Sequence, residues 1–133
     1  MVLPSLRPPR SASSSARSRE PAVDARDTPL DLSPIEPLLT RIEERYHPAQ
    51  VWLFGSRARG DAGPSSDWDL LVVVDDDTDV RLLDPRSVWK MKRDAGVMAD
   101  VLVLPSREFL EDRDTVNTLA HAVTREGVLL RER

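Results

Sequence analysis

Three aspartates and a Gly-Ser turn are the residues of this chain whose types and spacing could do chemistry. One apolar run, Val51-Trp52-Leu53-Phe54, ends in Gly55-Ser56 and a short basic segment, Arg57-Ala58-Arg59-Gly60. A second apolar run follows Ser66 and carries Asp67-Trp68-Asp69 at its start. Strand side chains alternate between faces, so Asp67 and Asp69 share one face. Backbone N–H groups at the Gly-Ser turn suit a phosphate, and paired carboxylates suit a dication held by oxygen. Together they are what a magnesium-dependent phosphoryl or nucleotidyl transfer requires. Such a transfer attacks the α-phosphorus of a nucleoside triphosphate and expels pyrophosphate. Two ions about 4 Å apart stabilise the attacking and leaving oxygens, and holding both takes about three carboxylates. Asp100 is the candidate for the third, as the lone charge in the apolar run 97–104. A carboxylate buried there without a partner would be costly, so it calls for a metal or a cation.

Composition narrows the chemistry further. The chain has 133 residues, enough for one small domain. It contains no cysteine, which excludes thiolate zinc sites and a cysteine nucleophile. Its two histidines, His47 and His121, are too far apart in sequence to suggest a histidine-rich centre. Any metal would therefore have oxygen ligands, which favours two Mg²⁺ ions, with Mn²⁺ as the substitute. No apolar run reaches the roughly 18 residues of a membrane span. The net charge is -4, but residues 1–29 hold five arginines against three acids, which leaves 14 basic against 20 acidic residues beyond them. An acidic globular part is a poor partner for a nucleic-acid backbone.

The elements that must position these groups can be read along the chain. Residues 1–29 are rich in Pro, Ser and Arg, too poor in apolar content to offset ordering entropy, and read as a disordered tail. The ordered domain then spans 30–133. Ser33-Pro34-Ile35-Glu36 predicts a helix start with Ser33 as cap, continued at helical spacing to Tyr46. Strands are expected at 50–54, 68–74 and 97–104, with a short helix from Ser56 and a longer one at 85–95 closed by Gly96. Helices at 106–113 and 114–125 and a last strand from Gly127 complete the pattern. The near-continuous apolar run at 68–74 implies a strand covered on both faces. The fold class is α/β, a small mixed sheet flanked by helices.

Gly55-Ser56-Arg57-Ala58-Arg59-Gly60 followed by Ser66-Asp67-Trp68-Asp69-Leu70 resembles the signature of the DNA polymerase β-like nucleotidyltransferase superfamily, closest to its minimal nucleotidyltransferase (MNT) branch. The resemblance runs from about Ile35 to Leu130. It implies that Gly55 and Ser56 contact the β- and γ-phosphates, that Asp67 and Asp69 bind both metals, and that Asp100 completes the catalytic site and helps to activate the acceptor hydroxyl. Of the two arginines, Arg57 is assigned to the nucleotide, and Ser66 caps the loop, orients Asp67 and joins the nucleotide-binding set. Larger members of the superfamily carry added domains that clamp base or acceptor. With about 100 ordered residues this chain calls for a partner or a second copy to complete its cleft. The resemblance to MNT antitoxins implies a cytoplasmic enzyme that transfers AMP from ATP to a tyrosine of a helical HEPN-type toxin. Two alternatives stand beside it: an antitoxin acting by binding alone, and a nucleotidyltransferase for small hydroxylated molecules, such as an aminoglycoside, completed by dimerisation.

Overall fold

The computed structural model describes residues 22–133. Most elements fall where the hydrophobic periodicity puts them. Helix α1 (Glu36–Tyr46) buries Leu38, Leu39, Ile42 and Tyr46 at helical spacing. Strand β1 (Gln50–Phe54) leads through Gly55 into a single helical turn, α2 (Ser56–Arg59). Strand β2 (Trp68–Val74) is followed by α3 (Pro85–Ala95), which starts with a proline under the Asp84 cap and ends at Gly96 in the left-handed conformation. Strand β3 (Ala99–Pro105), α4 (Ser106–Asp112), α5 (Leu119–Glu126) and β4 (Val128–Glu132) complete the chain.

The sheet has the order β3-β2-β1-β4. Strand β1 pairs antiparallel with β2 and with β4, whereas β2 and β3 run parallel, joined by the α3 crossover. The mixed sheet flanked by helices is thus the expected α/β class. Strand β2 lies inside the sheet and all its residues but Asp69 are buried. One sheet face (Val51, Leu53, Leu70, Val72, Val101) packs with α1 and α3. The other face carries Leu71 and Val73 against Phe109 of α4 and Ala120 and Val123 of α5. That second cover stops short of the end of the sheet where Asp69 lies.

Four local expectations need correction. Ser33 does not cap α1: residues Ser33–Ile35 form a 3-10 turn, and Asp31 accepts from the Ser33 N–H at 3.0 Å. Strand β3 starts two residues later than the apolar run, because Val97 and Met98 lie in the extended link between Gly96 and the sheet, outside the ladder with β2. The last helix starts at Leu119, capped by the Thr118 hydroxyl, since Asp114-Thr115-Val116-Asn117 is spent on turns with Asn117 at φ 74°. Finally, the tail ends earlier than its composition implies. Residues 22–29 form a closed turn, bridged between Val23 and Pro29, in which Ala22 and Asp24 are buried. The rest of the expected tail, 1–21, lies outside the described residues. Among the described residues no helix is long and apolar enough to cross a membrane.

Ile42 is fully buried between α1 and the sheet. Ile42→Ala should therefore lower unfolding free energy by about 2 to 5 kcal/mol, read by denaturant titration, with far-UV circular dichroism of the folded protein unchanged.

Candidate active site

The sheet register builds the site. Phe54 of β1 is paired with Asp69 of β2, and Asp69 with Asp100 of β3, so the three stand in a row across the sheet. Gly55 follows Phe54 directly. It has φ 77° and ψ -157°, and a Cβ added there would lie 2.2 Å from Asp69 Oδ2. The Asp69 carboxylate therefore rests against bare backbone at the turn. Only glycine meets both demands, a positive φ and no side-chain volume.

Asp69 is half-buried, while Asp67 and Asp100 are exposed. Partial burial pushes the Asp69 carboxyl above its ordinary value; the charges of Asp100 and Asp67 and a hydrogen bond with Asp100 push the same way, and Arg59 opposes them. Asp69 and Asp100 thus form a contacting pair, and Asp67 stands two residues back, before β2 begins, close enough to add its field. The exposure of Asp100 corrects the expectation of a buried lone charge. Strand β3 is an edge strand whose pattern alternates, and Asp100 and Leu102 lie on its open face, Leu102 at 45 % exposure. Burial cost does not explain Asp100; its place beside Asp69 does.

The two arginines of α2 have separate tasks. Arg57, assigned to the nucleotide from the sequence, is turned toward the loop before β2. Its Nε and Nη2 donate to the Ser66 carbonyl at 3.0 and 2.7 Å, and its guanidinium lies 4.2 Å from the centre of the Trp68 ring. Arg59 is the cation that bears on Asp69, and it also pairs with Asp61 at 3.4 Å. Ser66 closes the loop locally: its hydroxyl accepts from the Gly63 N–H at 2.9 Å, and its N–H donates to the Gly63 carbonyl at 3.1 Å. Ser56 opens α2 and its carbonyl accepts from Gly60 and Asp61, while the opening N–H groups of so short a helix have no acceptor within it. Trp68 is buried in the core on the face away from the carboxylates.

A groove of about 590 Å³ runs past Asp69 and Asp100 along β3, bordered by Phe54, Leu102, Trp89 and Lys92. Sequence reading had not singled out Lys92. A lysine in the last turn of an amphipathic helix also reads as a complement to the helix dipole, so only the fold reveals its position.

The donor set fits divalent cations in chemistry. Three carboxylates gather at one end of the sheet, none has a lysine or arginine within ion-pair distance among the described residues, and Asp69 carries the electrostatic penalty of that crowding. They do not form a finished cage: no three acidic or histidine groups among the described residues already surround one point. Asp69 and Asp100 are the pair in place, and Asp67 stands before β2 begins.

With this geometry in hand, comparison with known proteins is informative. The nucleotidyltransferase domain family matches residues 35–122, which takes in α1, the Gly-Ser turn, all three aspartates and the first half of α5. A crystal structure described as that of "a putative nucleotidyltransferase from Sulfolobus solfataricus" superposes with a TM-score of 0.51 at 23 % identity, covering 77 % of this chain and 80 % of that one. At that identity the likeness is one of fold. No curated protein matches the chain.

Two outcomes follow for the metal-free protein. The Asp69 carboxyl binds its proton more tightly folded than unfolded, so stability falls as pH rises from the ordinary 3.8 through the raised value. Asp100→Asn removes a neighbouring charge and should flatten that fall, seen as a higher unfolding temperature near neutral pH in chelator. Gly55→Ala puts a methyl against Asp69 at a positive φ and should cost more than about 1 kcal/mol in denaturant titration.

Proposed function

The chain belongs to the nucleotidyltransferase domain family, and on that premise we propose that it is a cytoplasmic enzyme transferring AMP from ATP to a hydroxyl of a partner protein, a tyrosine of a HEPN-type toxin. The observation that carries the reading is the approach of Asp69, paired across the sheet with Asp100, to the Gly55 backbone. It puts the start of α2, whose opening N–H groups have no acceptor within the helix, beside a set of acidic oxygens at the same end of the sheet.

In this reading the triphosphate lies against the turn at Gly55 and Ser56, where the opening N–H groups of α2 and the Ser56 hydroxyl can donate to it while Gly55 leaves room for the Asp69 carboxylate behind. Two Mg²⁺ ions held by Asp67, Asp69 and Asp100 would neutralise the triphosphate and make the acceptor hydroxyl more acidic. Asp100, exposed on the edge strand, is the carboxylate nearest to incoming acceptor and takes part in removing its proton. The acceptor oxygen bonds to the α-phosphorus as the bond to the β-phosphate oxygen breaks, and pyrophosphate leaves. Arg59 faces the carboxylates and is the guanidinium available to the phosphates. Arg57 keeps the loop that delivers Asp67 fixed to Trp68.

A protein acceptor is supported by the apolar surface beside the carboxylates. Trp89, Met98 and Leu102 are 56, 75 and 45 % exposed, and they frame the side from which an acceptor would approach Asp100. The same surface would also serve neutralisation by contact alone, a reading favoured by the unfinished state of the carboxylate cage.

Transfer is tested by purifying the helical partner after incubation with the protein, ATP and Mg²⁺ and weighing it intact. Asp67→Asn, Asp69→Asn and Asp100→Asn should each remove the added mass of AMP while leaving the fold intact. Ser56→Ala should lower kcat/KM by about 5- to 30-fold, the loss of one hydroxyl contact. Neutralisation that survives all four substitutions and the omission of ATP would establish the contact reading instead.

A further inference from the structure

Asp24 is the one charged residue buried among those described, at 6 % exposure, and no step of the transfer uses it. Its carboxylate accepts from the N–H groups of Arg26 at 2.8 Å and Thr28 at 3.0 Å. The Asp27 N–H donates to the Asp24 carbonyl at 3.0 Å, with Asp27 at φ 62°, so 24–27 is a tight turn. The turn is closed behind by Leu30 N–H to Ala22 O at 2.9 Å and by the bridge between Val23 and Pro29.

What this turn touches is α2. The Ala25 N–H donates to the Ala58 carbonyl at 2.8 Å, an acceptor that a helix end otherwise leaves without a partner. A Cβ on Gly60, at φ 88°, would lie 3.0 Å from Asp24 Oδ2 and 3.1 Å from Arg26 Cγ, so the turn presses on the glycine that ends α2. A four-residue helix has no stability of its own, and its geometry must be imposed from outside. Strand β1 imposes it at one end and the Asp24 turn at the other.

We propose that residues 22–30 are a positioning brace for the phosphate cradle, in which Asp24 shapes the turn and the Ala25 N–H holds the far end of α2, thereby fixing Gly55 and Ser56 one helical turn away. Asp24 and Ala25 are positioning residues, since neither is placed to touch nucleotide. The brace rests on the nucleotide-binding reading of Gly55 and Ser56, and its test separates the two.

Ala25→Pro is the discriminating variant. Ala25 occupies the second position of the turn, which proline favours, so the turn survives while the donor to Ala58 is lost and a ring carbon in place of its hydrogen pushes that carbonyl away. In the full chain, Mg²⁺–ATP affinity by titration calorimetry should weaken by at least about 3- to 10-fold, the scale of one lost backbone hydrogen bond, with the displaced Ala58 carbonyl adding to it. KM for ATP should rise with it and kcat should stay within about twofold. Amide exchange should accelerate at Arg59 and Gly60, whose N–H groups bond to Gly55 O and Ser56 O, and not across β1 and β2. Asp24→Ala should behave alike, and Asp24→Asn, which keeps the acceptor, should restore wild-type values. If the unaltered protein binds no Mg²⁺–ATP, the functional reading fails and the exchange pattern alone decides the brace. Unchanged exchange at residues 59 and 60 in Ala25→Pro, or uniform acceleration through the core, would overturn it.

Discussion

The approach of the Asp69 carboxylate to the Gly55 backbone is the constraint on which the site depends. It requires β1 and β2 to be paired so that Phe54 is opposite Asp69, and it requires the residue after Phe54 to have no side chain. The same close approach sets how the chain leaves β1, because Gly55 turns through a positive φ straight into α2. Register, turn and carboxylate position are therefore one geometric decision. A shift of β2 by one residue would send Asp69 into the core and bring Trp68 to the site.

This arrangement concentrates negative charge that the rest of the molecule must tolerate. The sheet does so by division of labour between its faces. Behind the carboxylates, Val51, Leu53, Leu70, Val72 and Val101 pack against α1 and α3, and the order of β2 is secured there. In front, α4 and α5 cover Leu71 and Val73 but leave the Asp69 end open. Repulsion between Asp67, Asp69 and Asp100 is thus carried by a well-packed strand, in a setting where cations and phosphates can reach it. The raised Asp69 carboxyl records its partial burial first and then the charges of Asp100 and Asp67, with Arg59 opposing them.

Much of this was legible in the sequence, for physical reasons that also explain what was not. β1, β2 and α3 have clear periodicity and firm ends: Gly55, the polar loop before Trp68, Pro85 and Gly96. They emerge with the expected bounds. The Asp-x-Asp spacing with a third Asp on a later strand gives the three carboxylates but not their relative burial, because whether β3 is inside or at the edge is decided by strand order. That is why Asp100 was expected to be buried and is exposed. The turn at 22–29 was hidden for a different reason. Its order comes from one buried carboxylate satisfying backbone donors, and from contact with a helix distant in sequence, so that composition alone reads it as tail. Likewise Ser33 resembles a cap until Asp31, two residues earlier, takes its N–H.

Arg57 and Arg59 show how one short helix serves two needs. Residues two apart on a helix point in nearly opposite directions, so a pair of arginines at that spacing cannot share a ligand. Arg57 donates through two nitrogens to a single carbonyl, Ser66 O, while its plane lies over Trp68. A lysine could supply neither the fork nor the flat face. By holding Ser66 it fixes the loop that ends at Asp67, the one carboxylate not already anchored within a strand. The charge of Arg57 therefore reaches the acidic centre indirectly, through the position of Asp67. The direct opposition to Asp69 falls to Arg59, on the side of α2 that faces the carboxylates. A Gly-Ser turn with one arginine would have to choose between ordering its loop and balancing its charge; with two, at this spacing, it does both.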